Sequence, residues 1–208
     1  MDKIVVIGGG GHAKVLIELI RGSGRYDIIG ILDSQLEIGL SVLGVSVLGR
    51  DELLRDLYDK EVKNACIGIG SINNNNKRKT LFEKVKEIGF GVPQLVHSKS
   101  ILSDESKIAD GVQVMAGAVI QTNTFVDQNT IINTGAIVDH DCILGKHVHI
   151  CPGVVISGGC IIGDGAFIGA GSTVIQGVKI GKGTLVGAGS LVVHDVFNGA
   201  TVKGSPAK

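Results

Sequence analysis

From Ile108 to Phe197 the chain can be written in sixes without one insertion: IADGVQ, VMAGAV, IQTNTF, VDQNTI, INTGAI, VDHDCI, LGKHVH, ICPGVV, ISGGCI, IGDGAF, IGAGST, VIQGVK, IGKGTL, VGAGSL and VVHDVF. All fifteen first positions are Ile, Val or Leu, and every fifth position is small or β-branched. The fourth position is Gly ten times and otherwise Asn123, Asn129, Asp141, His147 or Asp195, the residue types that best tolerate a left-handed backbone. Each six therefore reads as a short strand followed by a corner. A fifth position and the first position after it lie two apart, so strand alternation sends both to one face. Stacking the units then buries a continuous column of aliphatic and small side chains. Two weaker units, VHSKSI and LSDESK, carry the frame back to Val96 and make seventeen.

Such a core accounts for an unusual composition. Of 208 residues 32 are Gly, seven are aromatic and none is Trp, yet 44% are hydrophobic and only three are Pro, which fits neither a disordered nor a collagen-like chain. Twenty basic residues balance twenty acidic ones with no Lys/Arg stripe, so nucleic acid has little electrostatic handle. The opening MDKIVVIGGGGH has an acid at position 2 and a short apolar stretch before its glycines. It reads as neither signal peptide nor membrane span, and no membrane partner is expected. Cys66, Cys142, Cys151 and Cys160 lack metal-ligand spacing; they read as reduced thiols of a cytoplasmic protein, with neither a disulfide nor a metal site.

The first 95 residues are organised differently. Residues 3–8 (KIVVIG) read as a buried strand, Gly8 to Gly11 as a turn, and HAKVLIELIRGSG as a helix with apolar Val15, Leu16, Leu19 and Ile20 on one face. DIIGILD, NACIGIG and VPQLV read as further strands, DELLRDLY and KRKTLFEKVKEIG as further helices. This alternation predicts a small doubly wound parallel sheet, an α/β domain over 1–95, with the repeat domain over 96–208. Ligands of such sheets sit at the carboxyl ends of the strands, where three groups would meet: the Gly8–His12 turn, Asp33, and Gly68-Ile69-Gly70-Ser71. Glycines there let a phosphate approach the N–H groups that open a helix. Gly8-x-Gly10-x-x-Ala13 followed by Asp33 fits a loose dinucleotide fingerprint, although a glycine run can also make a tight turn with no ligand. Asn73 to Asn76 read as a polar helix start with an Asn cap.

Within the repeat, one unit carries unusual chemistry. Val138-Asp139-His140-Asp141-Cys142-Ile143 is followed by His149 nine residues after His140. His140 is a third-position corner residue, and an imidazole there suits general-base work with an adjacent carboxylate to orient it. Asp141 also satisfies the fourth position for backbone reasons alone, and His194-Asp195 repeats the spelling, so the pair by itself leaves the question open. His147 reads as a structural corner. The sixth positions Phe125, Ile131, Ile137, Ile143, Val155, Ile161 and Phe167 are apolar although they point outward; exposed on all three faces, they would require a covering partner.

The run Asn133-Thr134-Gly135-Ala136-Ile137-Val138-Asp139-His140-Asp141-Cys142, then His147-Val148-His149-Ile150-Cys151-Pro152-Gly153, with the opening Ile7-Gly8-Gly9-Gly10-Gly11-His12-Ala13 and the closing Gly204-Ser205-Pro206-Ala207, resembles one family over essentially the whole chain. It is the bacterial hexapeptide-repeat sugar acyltransferase family that includes sialic acid O-acetyltransferases and N-acetyltransferases of UDP-4-amino sugars. The resemblance implies a left-handed parallel β-helix with three units per coil, which would make Cys142 and Cys160 interior neighbours. It also implies a homotrimer with active sites in intersubunit clefts. His140 would be the general base, supported by Asp141 where the family often has Glu. Acetyl-CoA, as co-substrate, would contact His149, Gly158, Ala170 and Ala188, with the Gly158 backbone polarising the thioester. Gly10, Gly11 and His12 would meet the nucleotide phosphates or sugar, and Asp33, Ser34 and Gly70 the base and ribose. Ser34 departs from relatives that carry a second acid there. The implied function is acetyl-CoA-dependent N-acetylation of a nucleotide-linked amino sugar, a UDP-4-amino-4,6-dideoxy sugar in glycan biosynthesis. O-acetylation of a sialic-acid-like sugar, an NAD-linked oxidoreductase and a non-catalytic trimeric scaffold stand as alternatives.

Overall fold

In the computed structural model the six-residue period becomes a left-handed parallel β-helix whose two-residue strands run from β6 (Leu95–Val96) to β23 (Thr201–Val202). They stack into three parallel sheets of six, five and seven strands, the walls of a prism. Registers such as Ile137↔Val155 and Ile143↔Ile161 place residues 18 apart directly above one another. All ten repeat glycines at the fourth position, and Asn123, Asn129, Asp141 and His147, hold φ between 56° and 75°. First and fifth positions fill the interior, from Val112 and Val114 to Val186 and Val192, with Cys142 and Cys160 fully buried among them. The structure describes residues 1–71 and 74–208, so Asn73 of the expected Asn-capped helix start lies outside the described residues.

Two expectations for the repeat are corrected. The frame holds through β22 (Leu191–Val192), but Val196 then bridges Ile180 and β23 pairs Leu185 with Thr201, only 16 residues on. The last coil is thus two residues short. Asp195 is therefore no left-handed corner; its Oδ1 accepts the Lys179 N–H at 2.8 Å. Nor are outward apolar residues exposed on all three faces. Phe125, Ile143 and Ile161 on the five-stranded sheet and Ile101 and Ile137 on the six-stranded sheet are exposed, whereas on the seven-stranded sheet Gln113, Ile131 and His149 are buried. Asn75, itself buried, donates from Nδ2 to the carbonyls of His147, Gly165 and Ala166 beside that sheet.

Contacts divide the chain into two units: residues 1–70 with 77–95, and residues 71–76 with 96–208. The first is built on β1 (Asp2–Ile7), whose last four residues are fully buried between parallel neighbours β2 (Tyr26–Leu32) and β5 (Asn64–Ile67). With β3 (Ser41–Val42) and β4 (Val45–Gly49), the sheet order is β3-β4-β2-β1-β5. Helix α1 (Gly11–Ser23) lays Ala13, Leu16, Ile17, Leu19 and Ile20 in the core and stops at Gly24 in the left-handed conformation. Helices α2 (Leu54–Asp59) and α3 (Asn76–Ile88) complete the unit. The hairpin β3 (Ser41–Val42) and β4 (Val45–Gly49) escapes the sequence pattern because its two-residue turn is Leu43-Gly44, both at positive φ, rather than an Asn-Gly pair. The segment VPQLV is not a strand of this sheet: Pro93 offers no N–H, and Leu95–Val96 joins the seven-stranded wall instead.

Candidate active site

One cluster sits on the corner between β13 (Ile137–Val138) of the six-stranded sheet and β14 (Ile143–Leu144) of the five-stranded sheet. The left-handed backbone of Asp141 (φ 58°) turns its carboxylate back so that Oδ2 lies 2.7 Å from His140 Nδ1. A carboxylate only accepts, so Nδ1 carries the proton and Nε2 keeps its lone pair. Oδ1 of Asp141 accepts from Asn123 Nδ2 at 2.6 Å, and the Asp139 carboxylate accepts the His140 N–H at 2.8 Å. The hydrogen bond to Asp141, then the charge of Asp139, raise the His140 pKa above its ordinary value against a small desolvation cost. Asp141 is held below the usual carboxylate range by the Asn123 and His140 hydrogen bonds. The ring lies flat on the next coil: a Cβ on Gly158 would fall 2.5 Å from His140 Cε1 and 2.6 Å from Nε2. The other His-Asp pair is built otherwise, since Asp195 is turned to the Lys179 N–H.

The remaining residues expected at the acyl donor lie elsewhere on the prism. Ala170 and Ala188 are exposed and stack on the corner that joins the seven- and six-stranded sheets, with the Ala170 carbonyl accepting the Gly189 N–H at 2.8 Å. His149 belongs to the seven-stranded wall, buried edge-to-face against Phe167 at 5.3 Å and 3.2 Å from Asn133 Nδ2. Thus His140, Asp141 and Gly158 come together in one chain, and His149, Ala170 and Ala188 occupy the neighbouring wall and corner. Asn123 was not singled out from sequence for chemistry, because Asn at a fourth position is already explained by the backbone.

The second cluster is a cleft of about 220 Å³ at the carboxyl ends of β1, β2 and β5. Gly10, Gly11, His12, Asp33, Ser34 and Gly70 all line it, together with Gln35 and Lys77, which sequence reading missed. The glycines differ in role. Gly8 (φ 97°) makes the turn, and a Cβ on Gly9 would collide with Leu36 at 2.5 Å. Gly10 caps α1 in an extended conformation and Gly11 begins it, and at neither would a Cβ meet anything within 4 Å. Packing and backbone strain therefore do not demand glycine there; bare N–H groups at a 13-residue helix start, with no side-chain cap, leave open space suited to an anion. Asp33 braces the loop: Oδ2 accepts the Gly9 N–H at 2.8 Å and Oδ1 those of Gln35 and Leu36 at 2.8 and 3.1 Å. Burial raises its pKa, but these donors and the charge of Lys77 outweigh it and hold the carboxyl below its ordinary value.

Both parts of the chain resemble known proteins. Residues 3–85 match the PglD N-terminal domain model, and residues 159–194 the model of the bacterial transferase hexapeptide (six repeats). A structure of PerB from Caulobacter crescentus, in complex with CoA and GDP-perosamine, is 39% identical with a TM-score of 0.93, covering 100% of this chain and 97% of that one. The acetyltransferase domain of PglB from Neisseria gonorrhoeae, in complex with acetyl coenzyme A, is 38% identical with a TM-score of 0.92, covering 99% and 98%. WeeI from Acinetobacter baumannii is 26% identical with a TM-score of 0.87, covering 100% and 99%.

Proposed function

The chain belongs to the family of hexapeptide-repeat sugar N-acetyltransferases with a PglD-type N-terminal domain, and from that premise we propose that it moves the acetyl group of acetyl-CoA onto the amine of a nucleotide-linked amino sugar. Residues 1–95 would hold the nucleotide sugar in the glycine-lined cleft, and residues 96–208 would carry out the transfer. The observation that carries this reading is the His140–Asp141 pair with its ring on Gly158. The sugar amine attacks the thioester carbonyl carbon while Nε2 of His140 takes its proton; the backbone N–H of Gly158 faces the developing oxyanion. Collapse breaks the C–S bond, and the imidazolium returns the proton to the departing thiolate. His149, Ala170 and Ala188 would line the donor's path, Gly10, Gly11 and His12 the phosphates, and Asp33, Ser34 and Gly70 the nucleoside.

Because His140 and the alanine corner lie on opposite edges of the six-stranded wall, the complete site would draw them from neighbouring copies. The exposed Ile101, Ile137, Phe125 and Ile143 flank the His140 corner on both sides, which supports a homotrimer closed over these faces. Four buried free cysteines suit a cytoplasmic enzyme; among the described residues no helix is long and apolar enough to cross a membrane.

For the nucleotide we propose UDP, with GDP the second reading because PerB was crystallised with GDP-perosamine. Free-thiol release from acetyl-CoA, assayed over UDP- and GDP-linked 4-amino-4,6-dideoxy sugars, tests both. Turnover confined to one nucleotide decides between them, and no thiol release with any nucleotide amino sugar overturns the assignment.

A further inference from the structure

Four described prism residues hold positive φ without being glycine, and they form two stacked pairs, each 18 residues apart: Asn123 with Asp141 and Asn129 with His147. A side chain at such a corner is less favourable than glycine, so each pair has to return something for the strain. In the first pair the return lies one residue from the imidazole. An exposed aspartate turns easily about its terminal bond. The Asp141 carboxylate meets His140 Nδ1 through Oδ2, and Asn123 Nδ2 holds its other oxygen at 2.6 Å, which fixes the carboxylate plane from both sides. Glycine at position 123 would satisfy the corner and leave that oxygen to water.

We infer that Asn123 is a positioning residue of the acyl-transfer site, fixing the Asp141 carboxylate so that it orients His140 and holds the proton on Nδ1. This rests on the reading of His140 as the base. Asn123 acts through Asp141 and does not touch the reacting atoms. The charged groups around the device are Asp139 and Asp141 on the His140 corner, and Glu105 and Lys107, which share with Asn123 and Asp141 a recess of about 360 Å³ on the five-stranded face.

The test is Asn123→Gly, which keeps the left-handed corner and removes the amide. The expected result is a fall in kcat of about tenfold, the worth of one hydrogen bond to a charged group, with KM for both substrates unchanged. The acid limb of the pH–rate profile moves to lower pH as the imidazole loses its fixed partner. In an Asp141→Asn background the same substitution costs nothing further, since the two act as a unit. A merely structural role for Asn123 would lower activity equally in both backgrounds and leave the acid limb in place. That result, or an unchanged kcat, overturns the inference. If the glycine variant folds poorly, Asn123→Asp serves instead: it keeps the corner preference but sets a second carboxylate against Asp141, so kcat falls while the added charge moves the acid limb to higher pH, and an unchanged kcat overturns the inference. His140→Ala is measured separately: retained turnover there would sink the general-base reading. The NMR titration of His140 in the Asn123→Gly protein would still decide whether Asn123 positions Asp141, by a lowered midpoint or an unmoved one.

Discussion

Adjacent corners of this prism use the same device to opposite ends. At the corner between the six- and five-stranded walls, Asn123 grips Asp141 and leads to an exposed histidine. At the next corner, Asn129 Nδ2 meets His147 Nδ1 at 2.9 Å inside the chain, and the His147 carbonyl accepts from Asn75. Both pairs stack left-handed residues 18 apart. The histidines, however, are set in opposite tautomers. Facing a carboxylate, His140 Nδ1 is a donor and Nε2 stays basic; facing an amide N–H₂, His147 Nδ1 is an acceptor and its lone pair is spent. On the proposed function one pair would prepare a base at the surface, while the other ties the chain together. A corner column supplies pre-oriented polar pairs, and burial separates the exposed one from the one closed inside the chain.

The largest effect that tests this contrast is on turnover. His140→Ala should lower kcat by roughly 10²–10⁴-fold, the usual contribution of a general base, with acetyl-CoA binding intact by calorimetry. His147→Asn, which keeps a left-handed-tolerant corner, should leave kcat within about twofold and act on stability. Equal kinetic losses in the two variants would erase the distinction between the corners.

A second, smaller loss should follow from Gly158→Ala. The added Cβ lands 2.5 Å from His140 Cε1, so the ring must swing off the coil, and an ångström of misplacement costs about 10²-fold. Melting should barely change, because the ring and its bond to Asp141 lie at the surface, where such pairs add little stability. At the buried corner the order inverts. Asn75→Ala strips the side-chain donor from the carbonyls of His147, Gly165 and Ala166. It should cost about 1–3 kcal/mol of stability, the penalty for buried polar groups left unsatisfied, read by chemical denaturation. A neutral Asn75→Ala would remove the structural role assigned to the second pair.

Much of this was legible in sequence because the left-handed corner restricts residue type so strongly. The period, the interior columns and the glycine turn at the N-terminal cleft all write themselves into the spelling. What stayed hidden was whatever the backbone already explained. Asn123 looked like a corner residue and nothing more, since its bond to Asp141 exists only once coils close at 18 residues. The short last coil was invisible because VVHDVF still satisfies the frame. Lys77 stood only as the first residue of the helix KRKTLFEKVKEIG, and the fold brings that helix start to the cleft. His149 holds an outward sixth position in the spelling, but it is buried and packs edge-to-face on Phe167, its neighbour 18 residues on.

The smallest effect separates the roles of protonation at the exposed corner. A general base must be neutral, so kcat/KM should rise with pH to a plateau, its midpoint above the ordinary value of 6.5 because Asp141 and Asp139 favour the imidazolium. Stability runs the other way. A histidine whose pKa is raised by folding contributes stability that is fully present below its unfolded pKa and lost as pH rises through the folded value. Asp141, depressed below 3.8, contributes stability above its unfolded pKa that is lost as pH falls through its lower folded value. Between these limits the charged pair holds the corner and, on the proposed function, turnover should be low; above them the corner should loosen slightly as the base becomes available. Both residues are exposed, so added salt should shrink the histidine's shift toward its ordinary value. Asp141→Asn should move the acid limb to lower pH and flatten the dependence of melting temperature on pH through the histidine range. An acid limb that ignores both salt and Asp141→Asn would mean that the titration controlling turnover belongs to another group.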